Sequence, residues 1–551
     1  MKSKSSGLFR NLALLAIIAS ATAIPGSLFA VDAPAQKSVQ QWDVFEVQLS
    51  GPAGGNPFTD VQLSCNFSDG TRTVTVNGFY DGDGVYRIRF MPDHPGGWSY
   101  TTGSNAPALA GKTGSFQVTP ATGKDHGPVY VRNTYHFAYG DGTPYNEIGT
   151  TSYIWVHAPD DWEDVTLKTL ADSPFNKIRM LIFPHDYNFR KTIAPTLFPF
   201  VGTPPRDWDY TRFNPAFFQH LEKRIGQLRD LNIEADLILF HPYGNSYGPN
   251  NSGFNNMGRA ADDRYLRYIV ARLAAYRNVW WSLANEWDFI RVKTEADFVH
   301  YGEVVSSNDP YGHMLSIHNG ALIFNNTLPW ITHSSIQNGD AVVESSRAEL
   351  YRDVFRKPVV YDEVKYEGTG AARWAQLTPE EMVHRFWEGT IGGTYVGHSE
   401  YDVVDGDYWL AYGGKLYGQS PPRLAFLKKV LDDGPARGID QIDKWQDSPV
   451  AGVPGQYYLV YFGLNKPTTW AFQLYKNGLR DGLHFKVEIL DTWNMTVTPV
   501  DGDFVTAKKD NYYFVDEQNR SITLPGNPYI ALRIRRVDNT PAVPLTAPNG
   551  E

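Results

Sequence analysis

Eight short apolar runs, most of them followed by a stretch with helical periodicity, occupy the chain between about residues 130 and 435. Such runs are typical of strands buried on both faces, and eight strands alternating with helices can close into a parallel barrel. The predicted strands end near residues 149–151, 178–181, 237–241, 284–286, 315–318, 332–337, 361–363 and 395–398, and the predicted helices span residues 160–171, 215–231, 262–276, 294–306, 378–389 and 422–431. We therefore predict a (β/α)8 TIM barrel over residues 130–435.

Two segments with a different pattern flank the predicted barrel. Residues 38–125 alternate apolar and polar positions in short stretches separated by Gly, Pro, Asn and Asp, which is typical of a β-sandwich. Residues 445–537 show the same alternation, and the Pro-rich residues 538–551 are predicted to form a disordered tail. The predicted fold class is therefore α/β, with a TIM barrel flanked by N-terminal and C-terminal β-sandwich domains.

The first thirty residues have the order of a secretory signal. Three basic side chains precede the apolar residues 12–19, and small residues and a proline follow them. We predict a signal peptide over residues 1–30, cleaved after Ala23 or Ala30, and a secreted or periplasmic protein. No later segment has the roughly 20 apolar residues that a membrane span needs. The mature chain is thus expected to lack a span, with an uncleaved signal anchor as the alternative.

Composition narrows the range of partners. The formal net charge of −10 and the lack of a long basic run argue against nucleic acid. The chain contains 15 Trp and 32 Tyr, whose flat rings can stack on the apolar faces of sugars, although most of them are expected in the core. Cys65 is the single cysteine, so no disulfide can form within the chain.

Two of the predicted strands end in a carboxylate. Residues 279–288 form an apolar run that reaches Asn285 and Glu286, and residues 357–364 form a β-branched run that reaches Glu363. Barrel enzymes carry their reactive groups where strands meet the following loops. Cleavage of a glycosidic bond needs two carboxyl groups, one protonated and one ionised. We predict Glu286 and Glu363 as the catalytic pair, with Asn285 hydrogen-bonded to a neighbouring sugar hydroxyl.

With these residues, the barrel resembles the clan A glycoside hydrolases, whose acid/base Glu follows an Asn after strand four and whose nucleophile Glu ends strand seven. The domain order and the Pro-Gly-Gly-Trp turn at residues 95–98 are similar to the apiosidase-like group of that clan. The resemblance implies that Glu286 is the acid/base and Glu363 the nucleophile. The resemblance also implies a retaining mechanism. Together with the predicted signal peptide, it leads us to expect an exported retaining glycoside hydrolase that acts on an oligo- or polysaccharide by double displacement.

Other positions of the clan carry over to this chain. Arg179, at the end of strand two, matches the arginine that supports the nucleophile, since a fixed cation keeps a carboxylate ionised. His241 and His318 match positions where family members bind sugar or tune the acid, and internally bonded barrel histidines are the alternative. The chain departs from the clan pattern at two positions that bear on the identity of the sugar. Gln337 ends strand six where many members have Tyr, and strand eight offers His398 where many have Trp.

Further acids compete for the cleft. Successive strand residues face opposite sides, so only one of Asp362 and Glu363 is expected to point inward, and the family position favours Glu363. The other acids that could line the cleft, or else be solvated loop acids, are Asp186, Glu344, Glu367 and Glu400. The loop over residues 184–214 is longer than a connection needs, and we expect it to line the cleft.

Three other interpretations stay open. His185 and Asp186, with His241 and His318, could form a metal site, but no close ligand spacing such as HExxH is present. We therefore expect neither metal nor cofactor. A noncatalytic carbohydrate-binding protein on a degenerate barrel would not need Asn285 and both carboxylates at these strand ends. A transglycosidase shares the chemistry up to the glycosyl-enzyme and differs only in the acceptor.

Overall fold

The computed structural model describes residues 37–185, 194–203, 207–245, 254–340, 342–343, 345–442 and 450–538. Its centre is a closed parallel barrel in which each strand pairs with its neighbours in chain order. The strands are β1 (Gly149–Thr151), β2 (Lys177–Leu181), β3 (Glu234–Phe240), β4 (Val279–Ala284), β5 (Leu315–Ser316), β6 (Ser334–Gln337), β7 (Val359–Glu363) and β8 (Tyr395–His398). β1 pairs with β8, and a parallel bridge between His318 and Ser335 closes the gap between β5 and β6. The predicted TIM barrel is confirmed.

The outer layer consists of helices whose apolar faces pack on the barrel. They are α1 (Asp160–Ala171), α2 (Pro215–Asp230), α3 (Arg259–Leu273), α4 (Glu295–Asn308), α5 (Ser345–Phe355), α6 (Pro379–Ile391), the short α7 (Trp409–Tyr412) and α8 (Ser420–Asp432). Short 3-10 turns follow several strands, at Trp155–His157, Pro242–Asn245, Phe254–Asn256 and Trp287–Phe289. α6 begins with Pro379 after a capping box of Thr378 and Glu381. α5 was not predicted, and residues 317–333, which are all described, contain no helix between β5 and β6.

A small antiparallel sheet covers the N-terminal end of the barrel. Its strands are Val129–Arg132, His136–Tyr139 and Pro144–Tyr145. The rings of Phe137 and Tyr145 lie 5.2 and 5.9 Å from that of Trp280, the second residue of β4. This end of the barrel is therefore filled by aromatic side chains, and the opposite end remains for a site.

The N-terminal segment is a sandwich of two sheets. The five-stranded sheet contains Lys37–Gln40, Leu63–Ser68, Thr73–Asn77, Gly96–Ser104 and Thr113–Thr119, and the three-stranded sheet contains Phe45–Ser50, Phe79–Tyr80 and Val85–Phe90. A short helix, Pro57–Asp60, connects the sheets. Aromatic pairs join the two layers: Phe45 stacks on Phe116 with ring centres 3.7 Å apart, and Phe67 stacks on Phe90 at 4.2 Å. Cys65 is buried in this core.

The C-terminal segment is an antiparallel β domain with its own hydrophobic core. Its strands are Asp440–Gln441, Val450–Val453, Tyr457–Tyr461, Thr469–Ala471, Gln473–Tyr475, His484–Asp491, Thr496–Pro499, Phe504–Lys508, Tyr513–Asp516, Ser521–Thr523 and Ile530–Arg536. It packs on the barrel through Tyr461, whose ring stacks on Trp387 of α6 at 5.4 Å. The predicted β-rich flanks on both sides of the barrel are thus confirmed.

Both chain ends fall beyond what the structure describes. The predicted signal peptide and the tail after Asp538 lie outside the described residues. Within the described ranges, no helix combines the length and apolar character needed to cross a lipid bilayer.

One buried carboxylate joins the N-terminal sandwich to the barrel. Glu222 of α2 accepts hydrogen bonds from Arg89 of the sandwich at 2.9 Å and from Arg272 of α3 at 2.5 Å. All three side chains are at most 7% exposed. Arg89 also pairs with Glu46 and Arg272 with the buried Asp81, so Glu222 is one of three acids that neutralise these two guanidinium groups. Removing it leaves part of this buried positive charge uncompensated.

We expect Glu222→Ala to lower the free energy of unfolding by about 3 kcal/mol, because two buried guanidinium groups lose their shared carboxylate. Urea denaturation measures this change. The matched control is Glu303→Ala at an exposed position of α4, which should change the free energy by about 0.5 kcal/mol or less. Equal effects of the two substitutions would contradict the role given to Glu222.

Candidate active site

A cleft of about 1,070 Å³ opens at the C-terminal end of the barrel. Glu286, Glu363 and Gln337 lie in its wall. The rest of the lining is rich in aromatic rings, namely Tyr153, Tyr243, Phe289, Tyr366, Trp374, Tyr401 and Tyr408. The two predicted carboxylates therefore share one cavity, at the barrel end where such sites are found.

Glu286 follows β4 and has left-handed backbone angles, with φ 45° and ψ 53°. A non-glycine residue adopts this conformation at a cost, which the surrounding structure must offset. Its carboxylate accepts hydrogen bonds from the Tyr243 hydroxyl at 2.9 Å and the Gln337 amide at 3.1 Å. Burial and then the charge of Glu363 raise the pKa of Glu286 to about 7, although both hydrogen bonds act in the opposite direction.

Glu363 ends β7 in a different electrostatic environment. Its carboxylate accepts a hydrogen bond from the Tyr153 hydroxyl, and Arg179 Nη1 lies 3.4 Å away. The Nε2 atom of His318 lies 3.5 Å from the same oxygen. Burial alone would raise the pKa of Glu363, but the hydrogen bond and charge of His318, then Arg179 and Tyr153, hold this pKa below its ordinary value. The predicted contact between Arg179 and Glu363 is confirmed.

Two chains of hydrogen bonds connect the carboxylates. In the first, Arg179, which contacts Glu363, donates to Asn285 Oδ1 at 2.6 Å, and the Asn285 amide donates at 2.5 Å to the Tyr243 hydroxyl, which binds Glu286. In the second, His318 faces both Glu363 and Gln337 Oε1, at 3.5 and 3.2 Å, and the Gln337 amide donates to Glu286. Together with the carboxylates these groups form a closed ring. Such a pair, with pKa values driven apart, can supply one acid and one base.

Four of the other predicted site residues are buried. Asn285, Arg179 and His318 are fully buried behind the cleft wall, where they position the carboxylates and their partners. His241 is buried as well: Nε2 lies 3.0 Å from the Phe183 carbonyl, and Nδ1 accepts a hydrogen bond from the Tyr243 backbone at 3.2 Å. Burial lowers the pKa of His241 to about 3. Direct sugar contacts by these four side chains stay predictions.

His398 lies apart from the cleft. Its ring stacks on Phe175 at 4.7 Å, and Nδ1 lies 3.1 Å from the Thr150 hydroxyl. This geometry therefore does not favour a sugar contact by His398. The position was taken over from the family pattern at strand eight, and the strand carries this side chain into the packing around β1 instead.

Asp362 corrects the prediction that only one of two adjacent acids points inward. Its carboxylate binds Lys177 at 2.8 Å inside the barrel, while Glu363 reaches Arg179 above it. The cause is an irregularity in the β6–β7 pairing, where Ser335 pairs with Val360 but Gln337 pairs with Glu363. The extra residue on β7 is a bulge, which interrupts the alternation of side chains.

The remaining acids are also placed differently from the prediction. Glu367 accepts a hydrogen bond from the Gln419 backbone at 2.7 Å, and Glu400 accepts one from the Tyr417 backbone at 2.8 Å. Both are buried, so they are not solvated loop acids, and they do not line the cleft. Asp186 and Glu344 lie outside the described residues.

Two clusters of described residues have ligand atoms close enough together to hold a metal ion. They are Glu367, His398 and Glu400 in one group, and Asp160, Glu163 and His220 in the other. The second group is already paired with the Arg224 guanidinium, which contacts both of its acids. The metal site considered from the sequence had other members. Of these, His185 lines the cleft beside the Tyr243 ring, whereas His241 and His318 have the separate partners given above.

Sequence reasoning missed the tyrosines that touch the carboxylates. Tyr153 and Tyr243 lie two and three residues beyond the ends of β1 and β3, and the Tyr366 hydroxyl also faces Glu363. Their place just after strand ends was the available signal. The long loop over residues 184–214 contributes His185 alone among its described residues. Much of the rest forms a hairpin of Phe200–Thr203 and Asp207–Phe213.

Three known family models match the chain, and they fall on the N-terminal sandwich, the barrel and the C-terminal β domain. Residues 132–401 match the model of the apiosidase-like catalytic domain. Residues 38–105 and 445–535 match two domains of unknown function, DUF5060 and DUF5605. No curated protein matches the chain.

Several solved structures are similar. A protein from Bacteroides vulgatus described as a glycoside hydrolase is 41% identical, with a TM-score of 0.87, and the match covers 91% of this chain and 100% of that one. A family 5 glycoside hydrolase, also from Bacteroides vulgatus, is 13% identical with a TM-score of 0.52, over 74% of this chain and 93% of its own. The second likeness concerns the fold alone.

The barrel, the paired carboxylates and these matches define a glycoside hydrolase with flanking β domains. More narrowly, the chain belongs to the clan A glycoside hydrolases with an apiosidase-like catalytic domain. Its substrate is accordingly a carbohydrate.

We expect the Glu286 carboxyl to titrate near pH 7, as its pKa of about 7 requires, in NMR spectra of protein labelled at the glutamate side-chain carboxyl carbon. Tyr243→Phe should move this midpoint to higher pH, because it removes a hydrogen bond that favours the ionised form. Tyr512→Phe, at an exposed position of the C-terminal domain, is the control and should leave the midpoint in place. A midpoint near the ordinary value of about 4.3 in the unmodified protein would refute this electrostatic account.

Proposed function

We propose that this protein is an exported, retaining glycoside hydrolase that cleaves an oligo- or polysaccharide by double displacement, with Glu286 as acid/base and Glu363 as nucleophile. The observation that carries this proposal is that Glu286 and Glu363 share one cleft but have opposite surroundings. Glu286 is bonded to the uncharged Tyr243 and Gln337, whereas Glu363 contacts Arg179 and His318. A retaining enzyme needs a protonated acid and an ionised nucleophile at the same moment. These two environments favour that combination near neutral pH.

In the first step, a carboxylate oxygen of Glu363 forms a bond to the anomeric carbon while the glycosidic C–O bond breaks. The leaving oxygen takes the proton of Glu286, so that no alkoxide has to depart. Arg179 and the Tyr153 hydroxyl hold the Glu363 carboxylate in place before attack. The products of this step are the released sugar or aglycone and a glycosyl ester of Glu363.

In the second step, Glu286 takes a proton from water while the water oxygen bonds to the anomeric carbon and the ester bond to Glu363 breaks. The charge of Glu363 is one cause of the raised pKa of Glu286, and esterification removes that charge. The pKa of Glu286 therefore falls in the intermediate, which favours the ionised form needed for a base. Two inversions at the anomeric carbon give net retention.

The cleft lining supports a carbohydrate substrate of more than one unit. Phe289 is 47% exposed although it is a large apolar residue, and a ring in such a position can stack on the apolar face of a sugar. Trp374 also lines the cleft, and its buried Nε1 atom has no hydrogen-bond partner among the described residues. The basic and apolar order of the first thirty residues supports export.

We expect Glu363→Gln and Glu286→Gln each to lower kcat on an unactivated substrate by several orders of magnitude, on the order of 10³-fold or more. The two variants should differ on an activated aryl glycoside, whose leaving group departs without a proton. Glu286→Gln should regain much of its first-step rate there, whereas Glu363→Gln should stay inactive. Steady-state kinetics on both substrate types measures the difference.

Glu303→Gln, at an exposed position of α4, is the matched control and should keep full activity. Folding of each variant is checked by its urea midpoint. Near-normal turnover of an unactivated substrate by either folded variant would contradict the assigned roles. Release of the product with inverted anomeric configuration, followed by NMR, would contradict the retaining mechanism.

A further inference from the structure

His318 has a hydrogen-bonding group at each ring nitrogen. Its side chain is fully buried, and it contacts β6 and β7 from the end of β5. The Nδ1 atom lies 2.8 Å from the Ser335 hydroxyl. The Nε2 atom lies 3.2 Å from Gln337 Oε1 and 3.5 Å from a Glu363 oxygen. The protons on the two nitrogens follow from what these partners can accept.

The Ser335 hydroxyl determines whether Nδ1 of His318 carries a hydrogen. A hydroxyl has one hydrogen to donate, and that of Ser335 is donated to the Asp362 carboxylate. Asp362 stays ionised: burial would raise its pKa, but Lys177, at 2.8 Å, and then Arg179 hold the pKa well below its usual range. Ser335 can therefore only accept at its other contact, and Nδ1 of His318 must carry a hydrogen.

The partners of Nε2 determine its state in the same way. The Gln337 amide nitrogen donates to Glu286, so the amide oxygen is the atom that faces His318. A Glu363 carboxylate oxygen is the second neighbour. Both neighbours are acceptors, and an unprotonated Nε2 would bring three lone-pair-bearing atoms together in a buried space.

We propose that Asp362 and Ser335 are positioning residues that hold His318 as an imidazolium, which fixes the Gln337 amide toward Glu286 and places a cation beside Glu363. The charged groups that act on this ring are Glu363 and Asp362 on β7. The groups next to these two acids are Lys177 and Arg179 on β2, Asp236 on β3, Tyr153 after β1 and Tyr366 after β7, and Glu286 is reached through Gln337. The consequence for catalysis rests on the function proposed above, whereas the protonation state does not.

The connection from Asp362 through Ser335 to His318 would act in both steps of double displacement. Before attack, the imidazolium helps Arg179 keep Glu363 ionised. When Glu363 is esterified, His318 loses one charged neighbour but keeps its connection to Asp362 through Ser335. The cation is then still present when the Glu363 carboxylate leaves in the second step, where it stabilises the charge that develops.

The direct test observes the ring nitrogens of His318. In protein with ¹⁵N-labelled histidine, we expect a signal from a ring with both nitrogens protonated at pH 7 that disappears in His318→Gln. Ser335→Ala should convert the ring to the neutral form at the same pH. The matched control is Ser334→Ala, which removes a buried hydroxyl without a hydrogen-bond partner from the adjacent position of β6 and should change nothing. A neutral His318 in the unmodified protein would overturn the proposal.

The pH dependence of kcat/KM tests the connection to catalysis. In Ser335→Ala the acidic limb should move up by about one pH unit, because Glu363 loses a neighbouring cation, while KM changes little. Ser334→Ala should keep the limb of the unmodified enzyme. A neutral His318 in Ser335→Ala with an unmoved limb would overturn the positioning role. If no glycoside is hydrolysed by the unmodified protein, the proposed function fails, but the NMR result for His318 still stands.

Discussion

Burial of carboxylates inside a barrel is possible here because β2 supplies two cations at alternate inward positions. Lys177 binds Asp362 at 2.8 Å below the cleft, and Arg179 contacts Glu363 at its floor. An isolated buried carboxylate would take up a proton rather than remain charged, whereas a well-bonded ion pair keeps the charge. The ionised state of Glu363 therefore depends on the strand beside it as much as on its own position.

The difference between the two carboxylates follows from which groups each one meets. Glu363 has Arg179 and His318 beside it, whereas the direct partners of Glu286 are the uncharged Tyr243 and Gln337. Both side chains are held within one ring of hydrogen bonds, so a change at one of them is transmitted to the other. The strained backbone at Glu286 is consistent with this, since strain persists only where the surroundings over-determine a conformation.

The sequence was sufficient for the barrel, because the apolar runs and their spacing directly reflect strands buried on both faces. It also located Glu286, Glu363 and the contact with Arg179, since strand ends are where such patterns stop. It could not reveal the bulge that turns Asp362 inward, because a bulge leaves no trace in the alternation of a short strand. α5 was missed because Leu350 and Val354 are exposed, so its apolar residues do not mark a buried face. Contacts made by loop residues such as Tyr153 depend on tertiary geometry that periodicity does not encode.

The proposed mechanism requires Glu363 to become covalently attached to the sugar. The protein is incubated with an activated 2-deoxy-2-fluoro glycoside. The fluorine slows both steps, and the good leaving group keeps the first step fast enough for the intermediate to accumulate. Mass spectrometry of peptides from the digested protein then identifies the modified residue. We expect a single glycosyl adduct on the peptide that contains Glu363, and no adduct in Glu363→Gln. An adduct on the peptide that contains Glu286, or none with a fluoro glycoside whose parent sugar is hydrolysed, would contradict the proposed mechanism.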